Sequence, residues 1–161
     1  MIQTGFLYND FIANLKQLFE NNPTVELKWR EGDIEKSTIY PFGLQGICEI
    51  DASVIPQFPF ICLEFAGAKE ASASIPYSDE DVTLVADIHY YAEEAEREVN
   101  IENIRQALWG IVALLRRNNK LGGFCRESRI TDVFTGEKQK ASGWIQGGAV
   151  RFEAIIRTDV F

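Results

Sequence analysis

Histidine, methionine and cysteine are scarce in this chain: of 161 residues, one is histidine, one methionine and three cysteine. The scarcity narrows the chemistry. Any Ser-His-Asp or Cys-His arrangement has to be built around His89, and no G-x-S-x-G segment supplies a matching nucleophile. Cys48, Cys62 and Cys125 are odd in number, far apart and without C-x-x-C spacing. They fit small apolar thiols in a reducing compartment, not a disulfide framework or a zinc site. No G-x-x-x-x-G-K-[ST] or G-x-G-x-x-G loop is present to cradle phosphates. No apolar stretch approaches the roughly 20 residues of a membrane span. The opening MIQTGFLYNDFIANL has no basic segment followed by an apolar block, which predicts a chain without a secretory leader. A soluble cytosolic protein with no cofactor and no bound metal is expected.

What the chain does have is apolar bulk and negative charge. Hydrophobic residues make up 46%, with 11 Phe, 5 Tyr and 3 Trp, against only 5 Pro. That composition belongs to a compact globule and not to a disordered chain. A single domain of this length buries roughly 68–70% of the surface its unfolded chain exposes. The formal charge of −8 repels nucleic-acid phosphates and anionic headgroups, so charge-driven binding to either is not expected.

Periodicity orders the elements. Leu7, Phe11, Leu15 and Leu18 recur at helical spacing between Phe6 and Glu20, widened by Ile12 and Phe19. Asn-Asn-Pro at 21–23 ends that helix. Val25, Leu27 and Trp29 alternate with Glu26, Lys28 and Arg30 as a half-buried strand, and Gly32-Asp33 reads as a turn. Three prolines and two glycines in 41–59 predict a long irregular loop, with room for a short strand in GICEIDASV. FICLEFAG reads as a central strand and KEASASIPYSDE as a polar surface loop. From Asp81 to Tyr91 a strand sets Val82, Leu84, Ala86, Ile88 and Tyr90 on one face. Thr83, Val85, Asp87, His89 and Tyr91 form the other. From Ala92 to Asn119 one long helix is predicted, with Ile101, Ile104, Leu108, Ile111 and Leu115 in a single seam. Acidic residues crowd its start and Arg116 and Arg117 close it, as the helix dipole favours.

FCRESRITDVF, a polar Gly-bounded connection TGEKQKASG, and WIQGGAVRFEAIIRTDVF then form a closing hairpin that alternates to the last residue. Gly147-Gly148 inside the final strand marks a bulge or a close backbone approach. Strands gathered before and after the long helix, without βαβ alternation, predict an α+β fold. Its expected form is one domain: a mixed, largely antiparallel sheet with two main helices packed on one face and a long C-terminal β-hairpin.

Few constellations carry chemistry. A phosphate cradle needs glycines ahead of a helix, whereas Gly122-Gly123 follow one and precede a strand; a helix C-terminal cap with positive φ is expected. Asp79, Glu80 and Asp81 lack calcium-loop spacing and read as a surface charge run. Glu93 and Arg97 are spaced for an i,i+4 pair at the helix start. The long helix with Trp109 reads as core along its apolar seam, a partner-binding seam being the alternative. His89 and Asp87 share one strand face; a solvated or interface histidine is the plain reading, and catalysis the alternative. Lys138 and Lys140 make a small basic tip between Gly136 and Gly143 on an acidic protein. With Glu137 and Trp144 this tip is the candidate interface, the other reading being an ordinary solvated hairpin end.

A strand, a long helix ending LLRRNNKLGGF, then SRITDVF and a final GGAVRFEAIIRTDVF make up residues 58–161. In that succession the chain resembles the tail-terminator or neck-terminator (tail-completion) proteins of long-tailed bacteriophages. The resemblance implies a small α+β subunit that assembles with itself into a ring, typically a hexamer, at the head-proximal end of the tail tube. It implies a structural role and no enzymatic activity: ending tube polymerisation and presenting the surface to which the head or neck docks. The tail-tube protein and a neck or head-completion protein are the implied partners, and the virion the implied location after assembly in the host cytoplasm. DNA would pass through the ring without specific binding, which an acidic wall suits; no membrane is involved. The competing class is a small acidic α+β enzyme or ligand-binding domain using His89 and Asp87. Another ring protein of the head–tail connector is a narrower variant of the first class.

Overall fold

The computed structural model of the chain describes residues 1–49, 58–70, 81–94, 97–140 and 143–157. Helix α1 (Leu7–Asn21) buries Phe11, Ile12, Leu15 and Phe19. It ends where the Asn22 side-chain amide donates to the Leu18 carbonyl (2.8 Å), just ahead of Pro23. Strands β1 (Thr24–Glu31) and β2 (Ile34–Pro41) pair antiparallel as a separate two-stranded arm, turning at Gly32. The main sheet follows: β3 (Gly46–Cys48), β4 (Phe60–Glu70), β5 (Asp81–Glu94), then helix α2 (Arg97–Arg117), and the hairpin β6 (Glu127–Lys140) and β7 (Gly143–Arg157). Its order is β3-β4-β5-β7-β6, parallel at β3/β4 and antiparallel at every other step. This is the expected α+β architecture with its C-terminal hairpin.

Both helices pack on one face of the sheet. Leu84, Ala86 and Ile88 of β5 and Val150, Phe152 and Ala154 of β7 meet Ile104, Leu108, Ile111 and Leu115 of α2 in one core. Phe11 carries α1 into it, its ring stacked between Phe124 (6.2 Å) and Phe152 (6.3 Å). The β1–β2 arm lies against α2 at Gly110, where an added Cβ would come within 3.0 Å of the Tyr40 ring and 3.1 Å of Phe42. The seam of α2 is core, as the spacing predicts. Trp109 stands off it, 43% exposed, edge-on to Trp29 of the arm at 6.3 Å.

Several boundaries differ from the sequence reading, for one reason. Ala92–Glu94 carry helix-favouring side chains, yet they continue β5 because Gln146, Ile145 and Trp144 of β7 stand opposite them. The helix starts only at Arg97, so Glu93 and Arg97 do not share a helix. Likewise Thr135–Lys140, expected as a connection, form the end of β6 opposite Gly143–Gly148. β5 is the middle strand of the five, and β4 lies next to the short edge strand β3. β4 continues through Lys69 and Glu70, beyond the expected loop boundary, past an irregularity between Phe65 and Gly67. Ile34–Pro41, given no element above, is the second strand of the arm. Part of 41–59 is regular, since β3 adds parallel to the start of β4. Residues 71–80 of the expected polar loop, with Asp79 and Glu80, lie outside the described residues, as do 158–161 of the last strand.

The two glycine pairs resolve differently. Gly122 (φ +67) and Gly123 (φ +97) have positive φ as expected, but Leu121 (φ +47) joins them after an Asn118–Lys120 turn. The helix itself closes with Asn118, whose side-chain amide donates to the Leu114 carbonyl at 2.9 Å. The three positive-φ residues then turn the chain back towards β6. Gly147-Gly148 is a close approach and not a bulge, because the register through both residues is unbroken on either side. Leu108 of α2 presses on Gly148, and the Tyr91 ring lies over Gly147.

Candidate functional site

The sheet face turned away from the helices carries charge and aromatic rings in ordered rows. Register alone places Glu64, Asp87, Arg151 and Asp132 side by side across β4, β5, β7 and β6. One row further, Val85, Glu153 and Arg129 align. Asp87 is only 6% exposed and Glu153 only 2%, and buried carboxylates need partners. Both have them. Arg151 donates from Nε and from a terminal nitrogen to the two Asp87 oxygens (2.8 and 2.9 Å), a two-pronged geometry. Glu153 accepts from Lys69 at 3.1 Å and from Arg129 at 2.8 Å.

The protonation equilibria follow the same contacts. Hydrogen bonds to Asp87, backed by its charge, raise the Arg151 pKa further. Burial pushes the Glu153 carboxyl up, but the hydrogen bonds and charges of Arg129 and Lys69 outweigh it and leave the pKa below its ordinary value. Lys69 lies on β4 and Arg129 on β6, so Glu153 ties both of these strands to β7.

His89 lies at the join between this ionic lattice and an aromatic row. Its Nε2 is 2.7 Å from Glu64 Oε2, and its ring stacks on Tyr91 (6.0 Å), which stacks on Phe60 (5.0 Å). The shared strand face of His89 and Asp87 is therefore correct. The side chain bonded to His89, however, is Glu64, while Asp87 is committed to Arg151. Glu64 lies on another strand, and nothing in the local sequence marks it. Ligating atoms of Glu64, Asp87 and His89 all lie within 4.8 Å of one another. Asp87 already accepts from Arg151 at both oxygens and Glu64 already pairs with His89, so the contacts seen at this cluster are those of a polar network across the strands. A separate depression of about 450 Å³ lies on the arm, lined by Glu26, Lys28, Trp29, Arg30, Glu35, Lys36 and Ser37. None of the sheet-face residues borders it.

No protein-family model matches the chain, and no curated protein is significantly similar to it.

Two further features belong to the geometry of the sheet. β5, β7 and β6 run on past the first residue of β4, which stands opposite Tyr91. Residues 92–94, 143–146 and 137–140 thus form a three-stranded tongue. Glu137, Lys138 and Lys140 lie on its β6 strand and Trp144 on its β7 strand, with Lys138 opposite Ile145 and Gln139 opposite Trp144. The candidate interface residues therefore share one protrusion, as strand and not as a loop. Their side chains lie outside the described set. The sheet also exposes apolar groups at both of its long edges. Phe65 on β4 is 37% exposed and stacks on Tyr8 of α1 (4.8 Å). On β6, Val133 is 47% and Phe134 41% exposed. Sequence patterning did not mark either edge, because alternation reports the face a residue takes and not its strand's position in the sheet.

Proposed function

We propose that the chain is a ring-forming structural subunit of the tail-terminator type, placed at the head-proximal end of a phage tail tube. In this reading the ring ends tube polymerisation and offers the docking surface for the neck or head. The observation that carries it is the tongue formed by β5, β7 and β6: a three-stranded extension past the start of β4, made of the C-terminal hairpin on which the resemblance rests, is suited to docking on a neighbouring protein. The ion-paired sheet face supports a scaffold role, since its buried carboxylates are held by cations and are not poised as bases. The acidic balance of the chain supports a channel wall past which DNA slides without adhering. The commitment of Asp87 to Arg151 weakens the competing use of His89 and Asp87 in catalysis.

Light scattering across a concentration series, with negative-stain images of the same samples, tests the reading. Ring-shaped oligomers that grow in with concentration are expected. A chain that stays monomeric throughout refutes it. His89→Ala should leave ring formation intact; a chain that folds normally but no longer assembles would move His89 from bystander to contact.

A further inference from the structure

We infer that the ring closes by edge-to-edge pairing of the main sheet, β6 of one subunit adding antiparallel to β4 of a second copy of this chain. The inference rests on the ring reading and deepens it.

Strand polarity is the first support. β4, β5, β7 and β6 are neighbours in that order and antiparallel at each step, so β4 and β6 run in opposite directions. Copies related by rotation about an axis along the strands therefore present β6 to β4 as an antiparallel pair. Among the described residues both edges have room to receive it. There β3 covers only Phe60–Cys62 of β4; from 64 to 69 the strand is exposed apart from half-buried Gly67. Among the described residues β6 pairs with β7 alone, and 131–136 are all exposed. Each edge carries one irregularity, between Phe65 and Gly67 on β4 and between Ile130 and Asp132 on β6, and the regular stretches beside them, Gly67–Lys69 and Asp132–Gly136, are those that can recruit another strand.

The apolar groups decide between symmetries. One exposed cluster, Phe65 with Tyr8, flanks the β4 edge, and another, Val133 with Phe134, lies on β6. A two-fold contact between like edges covers one cluster and leaves the other in water. A head-to-tail contact covers both in every subunit with one kind of interface, and it is the contact that closes into a cyclic ring.

A register also presents itself. Asp132 and Lys69 both lie on the outer sheet face, in rows with Arg151 and Thr83 respectively. Setting them opposite keeps both faces in phase, which a shift of one residue would reverse. Val133 then faces Ala68, and Phe134 faces Gly67, where nothing lies within 4 Å of the Cβ position. Asp132 then faces the Lys69 ammonium, which has donors beyond the one it gives to Glu153, and an aromatic ring gains a vacant place beside a glycine. Pairing ends where β3 already occupies β4.

Directly opposed antiparallel residues have Cα atoms roughly 4.5–5.5 Å apart, within disulfide reach, so the double variant Ala68→Cys with Val133→Cys is the test. After mild oxidation it should give a ladder of covalent oligomers larger than dimers on non-reducing gels, while each single variant gives none. Val133→Lys, with its fold checked by circular dichroism, should raise the apparent dissociation constant of the oligomer at least about tenfold. Dimers from Val133→Cys alone would establish a two-fold β6 contact and overturn the inference. Wild-type rings with no ladder from the double variant, or with assembly indifferent to Val133→Lys, would also overturn it and leave the ring reading standing. A monomeric wild-type chain would instead overturn the ring reading itself.

Discussion

Gly148→Ala offers a contest between two opposed free-energy terms. Considered alone, replacing a strand glycine with alanine should stabilise the fold by about 0.4–1 kcal/mol, because the unfolded chain loses freedom. The packing says otherwise. A Cβ on Gly148 would lie 2.7 Å from Leu108 Cδ1, 2.9 Å from Cδ2 and 3.1 Å from Cγ. Three atoms of one side chain approach together, so rotating a single methyl does not clear the contact. Leu108 is buried in the α2 seam, so the helix has to lift from β7 or Leu108 has to leave its rotamer. Overpacking of this kind costs about 1–3 kcal/mol, which exceeds the entropic gain. A net destabilisation of about 1–2 kcal/mol is expected, or a Tm lower by roughly 2–8 °C for a domain of this size.

Thermal and urea unfolding followed by circular dichroism measures it, and a double-mutant cycle locates the cause. Leu108→Ala alone should cost about 2–5 kcal/mol. In that background Gly148→Ala should become neutral or stabilising, giving a coupling of about 0.5–3 kcal/mol. A higher Tm for Gly148→Ala in the wild-type chain, or the same penalty in both backgrounds, refutes the packing argument.

Acid should unfold the protein through its hydrogen-bonded carboxylates. The Thr4 hydroxyl donates to Asp10 at 2.5 Å and the Thr4 amide at 2.8 Å, and these bonds, the hydroxyl's first, hold the Asp10 carboxyl below its ordinary value. Glu153 is shifted in the same direction. A lowered native pKa contributes stability that is fully present above the unfolded value, about 4 for these groups, and is lost as pH falls through the native value. Stability against pH should therefore fall on the acid side, and Asp10→Asn should flatten that limb while lowering stability at neutral pH; an unchanged acid limb would refute the assignment. Burial pushes the Cys125 thiol up to about 11, so iodoacetamide at pH 8 should label half-buried Cys48 first and reach Cys125 only on unfolding, as mass spectrometry of the labelled chain will show. Phe11→Ala empties a fully buried site between Phe124 and Phe152 and should cost about 3–5 kcal/mol, seen as a Tm lower by roughly 6–20 °C; a loss below about 1 kcal/mol would show that α1 is not anchored there.

Local periodicity was enough to find the helices, most of the strands and the α+β class. A face of β5 made of Val82, Leu84, Ala86, Ile88 and Tyr90 can be read from five residues, because alternation is a property of the strand itself. The seam of α2 is legible in the same way, since Ile104, Leu108, Ile111 and Leu115 recur with the helical turn. Composition likewise determined the acidic balance. Wherever the outcome depended on a distant partner, only the tertiary structure decided it. Ala92–Glu94 are strand because Trp144–Gln146 stand opposite them, and Thr135–Lys140 because Gly143–Gly148 do. His89 bonds Glu64, 25 residues away, and Asp87 bonds Arg151, 64 residues away. Leu108 makes Gly148 a contact, and the strand order puts β6 at one edge and, at the other, β4 beyond the three residues that β3 covers. A side chain's face is set within a few residues of itself, whereas its neighbour across the sheet is set by register, which the whole fold imposes.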